Sequence, residues 1–398
     1  MNEKKPSQFR WQLVAITIGR LFLNTGLRMV YPFAPTFARG LGVPLTAVYR
    51  VIALRNISGF FSPLFSPLSE RFGRKAVMMG SLVLFAAGCL LVVAYPTFWT
   101  FALAMGLLGL AKVTFDPSMQ AYVGDAVPYK QRGKALSVTE YAWSLALLIG
   151  APGVGIAIQA WGWDAPFFWL GVLSLLAALL LWRVLPRLGK RHHAGLSLRN
   201  TLRVVGQYRV IWAAFVYIVL ASTANEILFI VYGEWMETSF GLTLATLGFA
   251  SAVIGGSEII GETFAGWSVD RFGKRPIVMT VGVCNALLYI ILPFTSANLP
   301  SALITLFFVF FTFEVVVVGG MPLMTELVPQ HRAVVMSVVV AGMSVGRTVG
   351  GFTGPAVLAL GGFVLSGLMS ALVMGTAVFI LARWLKEGEA LDDIERMC

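Results

Sequence analysis

Twelve ionisable side chains fall inside long apolar stretches, where a hydrocarbon surrounding makes charge costly and demands a partner or a function. Six are basic (Arg20, Arg28, Arg50, Arg55, Lys112, Arg347) and six are acidic (Asp116, Glu140, Glu226, Glu258, Glu262, Glu314). The signs balance over the chain but not along it. The first half holds five of the basic and two of the acidic residues, the second half one basic and four acidic. Arg20, Asn24 and Arg28 recur every four residues and so share one helical stripe that runs on towards Tyr31. Lys112 and Asp116 stand one turn apart and can neutralise each other. Glu258 and Glu262 also share a face, and two carboxylates so close do not both ionise easily, which suits one of them to carrying a proton. A helical rise of ~1.5 Å per residue puts Arg20, Arg55, Glu258, Glu314 and Arg347 near the middle of their stretches. Arg50 lies near an end and reads as an interfacial anchor.

These types at these spacings suit holding and releasing a charged solute and an ion. The candidate solute-binding set is Arg20, Asn24, Arg28, Arg55, Lys112, Glu314 and Arg347; the candidate ion-coupling set is Glu226, Glu258, Glu262 and Asp116. A zwitterionic or anionic organic solute would sit between arginines of the first half and glutamates of the second. Alternatively, a lipophilic cation would be exported against protons with Glu226, Glu258 or Glu314 as its counter-charge. A third reading, from a different class, is a non-transporting receptor or scaffold. Lys112–Asp116 and Glu314–Arg347 each also read as structural ion pairs, because intramembrane charges commonly pair.

Other chemistries lack their residues. The three histidines, His192, His193 and His331, lie in polar connections and form no metal-like cluster, and no phosphate-binding Walker loop occurs. No cofactor, metal or enzymatic activity is expected, and gradients of protons, sodium or the solute itself are left to drive movement. Cys89, Cys284 and Cys398 have no metal-like spacing and suggest no disulfide framework. The net charge of +11 would suit a nucleic-acid partner until the basic residues are placed.

What must position the buried charges is a set of membrane spans. Of 398 residues, 58% are hydrophobic and only 12% charged, about half the charge of a soluble domain. Apolar runs of about 20 residues or more read as transmembrane helices. Twelve are expected, at 11–37, 45–68, 76–94, 97–124, 134–160, 165–185, 209–235, 244–267, 276–294, 301–325, 333–360 and 363–384. Trp11, Trp99, Trp163, Trp212, Trp235, Trp267 and Trp384 fall near span ends, where an interfacial belt would place them. With the N-terminus inside, 23 of the 30 Lys and Arg fall in cytoplasmic segments, six lie in spans, and only Arg39 is external. Both termini are therefore expected in the cytoplasm, in a prokaryotic plasma (inner) membrane. The polar start leads into a full span and suggests no cleaved signal.

The spans repeat. "SERFGRK" (69–75) places charge at four of six positions from Glu70 to Lys75, and "VDRFGKR" (269–275) says nearly the same at an offset of 200. "DAVPYKQRGKALSV" (125–138) is echoed by "ELVPQHRAVVMSV" (326–338). Two six-helix halves of parallel orientation follow, 1–186 and 208–398, joined by a polar linker at 187–207 and related by a pseudo-two-fold axis along the membrane normal.

At these residues the chain resembles the major facilitator superfamily over essentially its whole length. That family carries a G-x-x-x-D-R-x-G-R-R/K pattern between helices 2 and 3. Gly266 to Arg275 matches it, and the first copy departs, with Ser66 for the glycine and Glu70 for the aspartate. The resemblance implies an alternating-access secondary transporter with a cytoplasmic gate formed by Glu70, Arg71, Gly73 and Arg74 with Asp270, Arg271, Gly273 and Arg275. In it Glu70 and Asp270 would pair with basic residues and helix ends. "GAPGVG" (150–155) partly matches the helix-5 element of drug/proton antiporters, although Met105 stands where those proteins have an arginine. Gly346, Gly350, Gly354 and Gly150–Gly155 read first as close-packing positions. The expected partners are a small solute, protons or sodium and the lipid bilayer, with a single chain sufficient for function.

Overall fold

In hydrocarbon a backbone finds partners only within itself, so each long apolar run closes into a helix. The computed structural model describes residues 6–127, 129–186 and 198–385, which are helical almost throughout and contain no strand. The helices of the first part are α1 (Pro6–Arg28), α2 (Val30–Leu41), α3 (Leu45–Asn56), α4 (Ser62–Phe72), α5 (Arg74–Ala94), α6 (Phe98–Ala126), α7 (Tyr129–Leu145), α8 (Ala151–Trp161) and α9 (Ala165–Val184). There follow α10 (Leu198–Gln207), α11 (Arg209–Phe240), α12 (Leu244–Phe272), α13 (Lys274–Ile291), α14 (Leu299–Leu327) and α15 (Arg332–Trp384). Of the expected linker 187–207, residues 187–197 lie outside the described residues and the remainder forms α10.

By length and hydropathy, nine helices among the described residues qualify as membrane spans, ten when one bent pair is included. The twelve anticipated stretches each fall on one of these helices or on an interrupted one. α1 and α2 meet at a bend of 56°. The bend precedes Pro32, which offers no N–H to the carbonyl of Arg28 and crowds the preceding turn. α3 and α4 are joined through a 3₁₀ turn, Ile57–Phe61. Between α7 and α8 the helix widens into a π turn at Ala146–Gly150. α15 contains two crossings, broken at Gly361 and Gly362; Gly362 adopts φ +65°, which a residue with a Cβ resists.

Packing divides the chain into two units, one of residues 1–195 with 242–255, the other of 196–241 with 256–398. Small residues bring their helices together. A Cβ added at Gly346 would lie 2.4 Å from the Val219 carbonyl oxygen, and one at Gly350 would lie 2.6 Å from Cβ of Glu226. Thr223 Oγ1 donates to the Gly346 carbonyl at 3.1 Å across the same seam of α11 and α15. In the first unit Gly155 abuts the Leu244 carbonyl and Gly255 abuts that of Ser144. Of the glycines singled out in the sequence, Gly150, Gly155, Gly346, Gly350 and Gly354 are thus close-approach positions, whereas a Cβ at Gly153 would meet nothing within 4 Å. The interfacial belt loses one member: Trp235 is buried and stacks on Phe363 with centroids 4.3 Å apart, whereas Trp11, Trp99, Trp212, Trp267 and Trp384 are exposed.

Candidate functional site

In the first unit the stripe of α1 faces α6 and α7. Arg20 is buried, and its Nε and Nη2 reach the two oxygens of Asp116 at 3.1 and 3.4 Å. Its Nη1 donates to the Thr139 carbonyl at 2.8 Å and pairs with Glu140 Oε2 at 2.9 Å. Lys112 Nζ lies 2.7 Å from Asp116 Oδ2, so the one-turn pair forms and one carboxylate serves two cations. Two turns further along the stripe, Arg28 donates Nη1 to the Trp143 carbonyl at 2.9 Å and stacks 4.2 Å over the same residue's indole. Lys112 Nζ approaches that ring at 5.7 Å. Between the two arginines lies Asn24, fully buried, with neither its amide nitrogen nor its amide oxygen hydrogen-bonded.

Arg55 lies apart from this group. Its Nη1 donates to the Leu27 carbonyl at 2.7 Å, beside the bend between α1 and α2, and its Nη2 reaches Asn56 at 3.2 Å and the Tyr31 hydroxyl at 3.5 Å. Gly109 makes the room, because a Cβ there would lie 3.1 Å from Cγ of Arg55. The geometry therefore places Arg55 as a brace of the bend as well as a candidate ligand. Arg50 is exposed.

In the second unit Glu226, Glu258 and Glu314 are buried, while Glu262 and Arg347 are partly exposed. Gly261 sits between Glu258 and Glu262 on α12, and a Cβ there would lie 3.0 Å from Cβ of Glu314 on α14. Three carboxylates thus originate around one helix crossing. Glu226 is set against Gly350 on the seam of α11 and α15, and its neighbour Asn225 accepts from the Tyr289 hydroxyl at 3.3 Å.

The twice-written loop makes the same contacts twice. Gly73 and Gly273 take φ of +91° and +88°, a turn that a side chain would resist. Lys75 Nζ donates to the Trp182 carbonyl at 2.6 Å, and Arg275 Nη2 donates to the Ala382 carbonyl at 2.6 Å, each at the open end of its unit's last span. Arg74 Nε pairs with Asp125 at 3.5 Å, and Lys274 pairs with Glu326. The pairing expected of Glu70 and Asp270 is made by basic residues instead: among the described residues neither acid forms an ion pair, and Arg71 and Arg271 lie against Phe72 and Trp267. Each acid lies three residues before a left-handed glycine, whereas the basic residues open the next helix and face the carbonyl ends nearby.

Sequence reasoning missed Thr139 and Trp143, because a backbone carbonyl and an indole face leave no charge signal. The spacing of 139–140 and 143 on α7, which matches the pitch of 20, 24 and 28 on α1, is the available clue. Asp125 and Glu326 stand within the repeated segments, where the repeat itself assigns them no role. No group of three metal-ligating side chains exists among the described residues.

An all-helical chain with buried ions inside apolar spans is a multi-pass integral membrane protein. The family model of the Major Facilitator Superfamily matches residues 16–232 and again 214–396, and the chain belongs to that superfamily, a transporter rather than an enzyme. Relatives agree. The chain is 23% identical over 393 residues to the multi-drug resistance efflux pump PmrA homolog of Lactococcus lactis subsp. lactis (strain IL1403), covering 96% of this chain and 95% of that one. It is 25% identical over 296 residues to the MFS-type transporter YceJ of Bacillus subtilis (strain 168), covering 73% and 74%. In fold it matches a bacterial homolog of the human lysosomal transporter Spinster, inward-facing and occupied, with a TM-score of 0.79, 13% identity and coverage of 98% and 99%.

Proposed function

We propose that this transporter is a proton-coupled carrier of a small organic solute bearing a carboxylate, zwitterionic or anionic, working by alternating access as a single chain. The carrying observation is the opposite bias of buried charge in the two units. In the first, the ionisable residues in the apolar stretches are five bases, Arg20, Arg28 and Lys112 among them, and two acids, Asp116 and Glu140. In the second, Glu226, Glu258 and Glu314 are buried, and the ionisable residues deep in its apolar stretches are four acids and one base, Arg347. A buried carboxylate needs a partner or a proton, and a proton that it gains and loses is a coupling ion. Glu258, Glu262 and Glu314 supply that role best, because they cluster at one crossing; Asp116, already bridged by two cations, serves better as a structural counter-ion.

The Lys and Arg bias supports termini on the cytoplasmic side of a bacterial inner membrane. On that side the loop residues brace the ends of each unit's own helices. Proton-driven export of lipophilic cations is the second reading, favoured by the likeness to multidrug efflux proteins. Proteoliposomes under an imposed pH gradient, offered amino acids, organic acids and cationic dyes, separate the two. The expected result is accumulation of an acid or amino acid, lost at least tenfold when Glu258→Gln, Glu314→Gln and Arg55→Ala are combined. Dye movement alone would establish the second reading, and solute movement indifferent to those substitutions would remove the proposed site.

A further inference from the structure

We propose that the second unit holds an anionic phospholipid, with its phosphate at Arg275 and Arg383 and one acyl chain in a groove between α13 and the second crossing of α15. The groove has a volume of about 610 Å³ and is lined by Val283 and Leu287 from α13 and by Leu368, Leu372 and Phe379 from α15. All five are exposed apolar side chains, an arrangement suited to contact with hydrocarbon. Gly375 also lines the groove, and a Cβ there would meet nothing within 4 Å. The contacts of Lys75 with Trp182 and of Arg275 with Ala382, each pair 200 apart, carry the repeat through these helices. At that offset the first unit has an exposed leucine, Leu175, where the second has Gly375. The second unit therefore leaves open a space that a leucine would enter.

An apolar groove alone accepts any tail, and the charge at its end decides among them. Arg275 Nη2 donates to the Ala382 carbonyl at 2.6 Å and so ties the start of α13 to the end of α15. Its Nε is shielded and makes no hydrogen bond, a costly state for a buried donor. Arg383 is exposed and lies 5.9 Å from the ring of Trp384, which in turn meets Phe379 of the groove at 5.9 Å. Among the described residues neither arginine forms an ion pair, whereas the neighbouring Lys274 is answered by Glu326. At ~1.5 Å per helical residue, Phe379 stands ~6 Å and Leu368 ~22 Å from Arg383 along α15. The groove thus starts one turn from the arginines and runs through the depth of one leaflet, about 15 Å of hydrocarbon. Guanidinium groups match phosphate oxygens with paired donors, and basic positions at the ends of spans recognise anionic headgroups. A zwitterionic lipid would bring its own ammonium towards two cations, which disfavours it. Phosphatidylglycerol has the phosphate, the chain and no such ammonium.

Native mass spectrometry of the full chain in detergent tests this, with phosphatidylglycerol, phosphatidylcholine and glycerol phosphate as probes. The wild type is expected to retain phosphatidylglycerol at least fivefold over phosphatidylcholine and to retain no glycerol phosphate. Arg275→Gln with Arg383→Gln should abolish that preference. Gly375→Leu, which places in the groove the residue that the repeat has at 175, should weaken phosphatidylglycerol binding at least fivefold with both arginines in place. Arg275→Gln removes a tie between helices and can unfold the protein; Arg383→Gln and Gly375→Leu break no hydrogen bond and then decide alone. Equal retention of the two lipids by the wild type would overturn the proposal, as would undiminished binding in Arg383→Gln and Gly375→Leu. Glycerol phosphate held as firmly as the lipid would reduce the site to one for a free anion and overturn the acyl-chain assignment. A dimer that Gly375→Leu abolishes would give the groove to a second copy of the chain and overturn it equally.

Discussion

Asp116 accepts from Arg20 and Lys112 at once, and the two cations differ in what else they hold. Arg20 is also tied to Thr139 and Glu140, whereas Lys112 has Asp116 and the edge of Trp143's field. Removing a carboxylate from between buried cations leaves charge uncompensated, at a cost of about 3 kcal/mol for a pair this well enclosed. Asp116→Ala is accordingly expected to destabilise by about that amount, measured by denaturant unfolding in detergent. Lys112→Met should cost about 1 kcal/mol or less, because Arg20 continues to answer Asp116. Equal costs for the two would show that the network is not centred on Asp116. The Lys112–Asp116 pair is legible in sequence, since helix pitch alone brings residues four apart together. Arg20's attachment is not, because it crosses between helices and ends partly on a carbonyl.

Helix seams show the same division. The four-residue spacing of Gly346, Gly350 and Gly354 points to a close approach, and the structure supplies the partner, α11, with backbone oxygens where a methyl would go. Gly346→Ala would place Cβ 2.4 Å from the Val219 carbonyl, so α11 and α15 would have to separate, at an expected cost of about 1–3 kcal/mol. Gly375 is a built-in control: it lies in the same long helix, and a methyl added there would meet nothing within 4 Å. Gly375→Ala should be neutral or stabilise by up to about 1 kcal/mol through helix propensity. Thermal unfolding of both variants decides the matter, and a Gly346→Ala protein as stable as Gly375→Ala would contradict the tight seam. The breaks within spans are less legible. Pro32 announces the bend of the first crossing, but the left-handed Gly362 looks in sequence like any glycine between two apolar runs.

Over the whole chain, duplication is the most informative signal. An offset of 200 in a handful of loop residues anticipates two halves of like construction, and the loops indeed repeat their contacts, Lys75 with Trp182 and Arg275 with Ala382. What duplication conceals is divergence: within the apolar stretches the first half carries more bases than acids and the second more acids than bases. On the proposed function, the glutamates of the second unit carry protons and the first unit's cluster seats an acid.

The decisive experiment is proton movement driven by solute alone. Proteoliposomes enclosing a pH-sensitive dye, with no gradient imposed, would receive the acid or amino acid that stabilises the protein. Proton coupling through the second unit requires a change of internal pH on adding that solute, abolished by Glu258→Gln with Glu314→Gln while solute binding persists. Solute entry at an undiminished rate with no change of internal pH would contradict it.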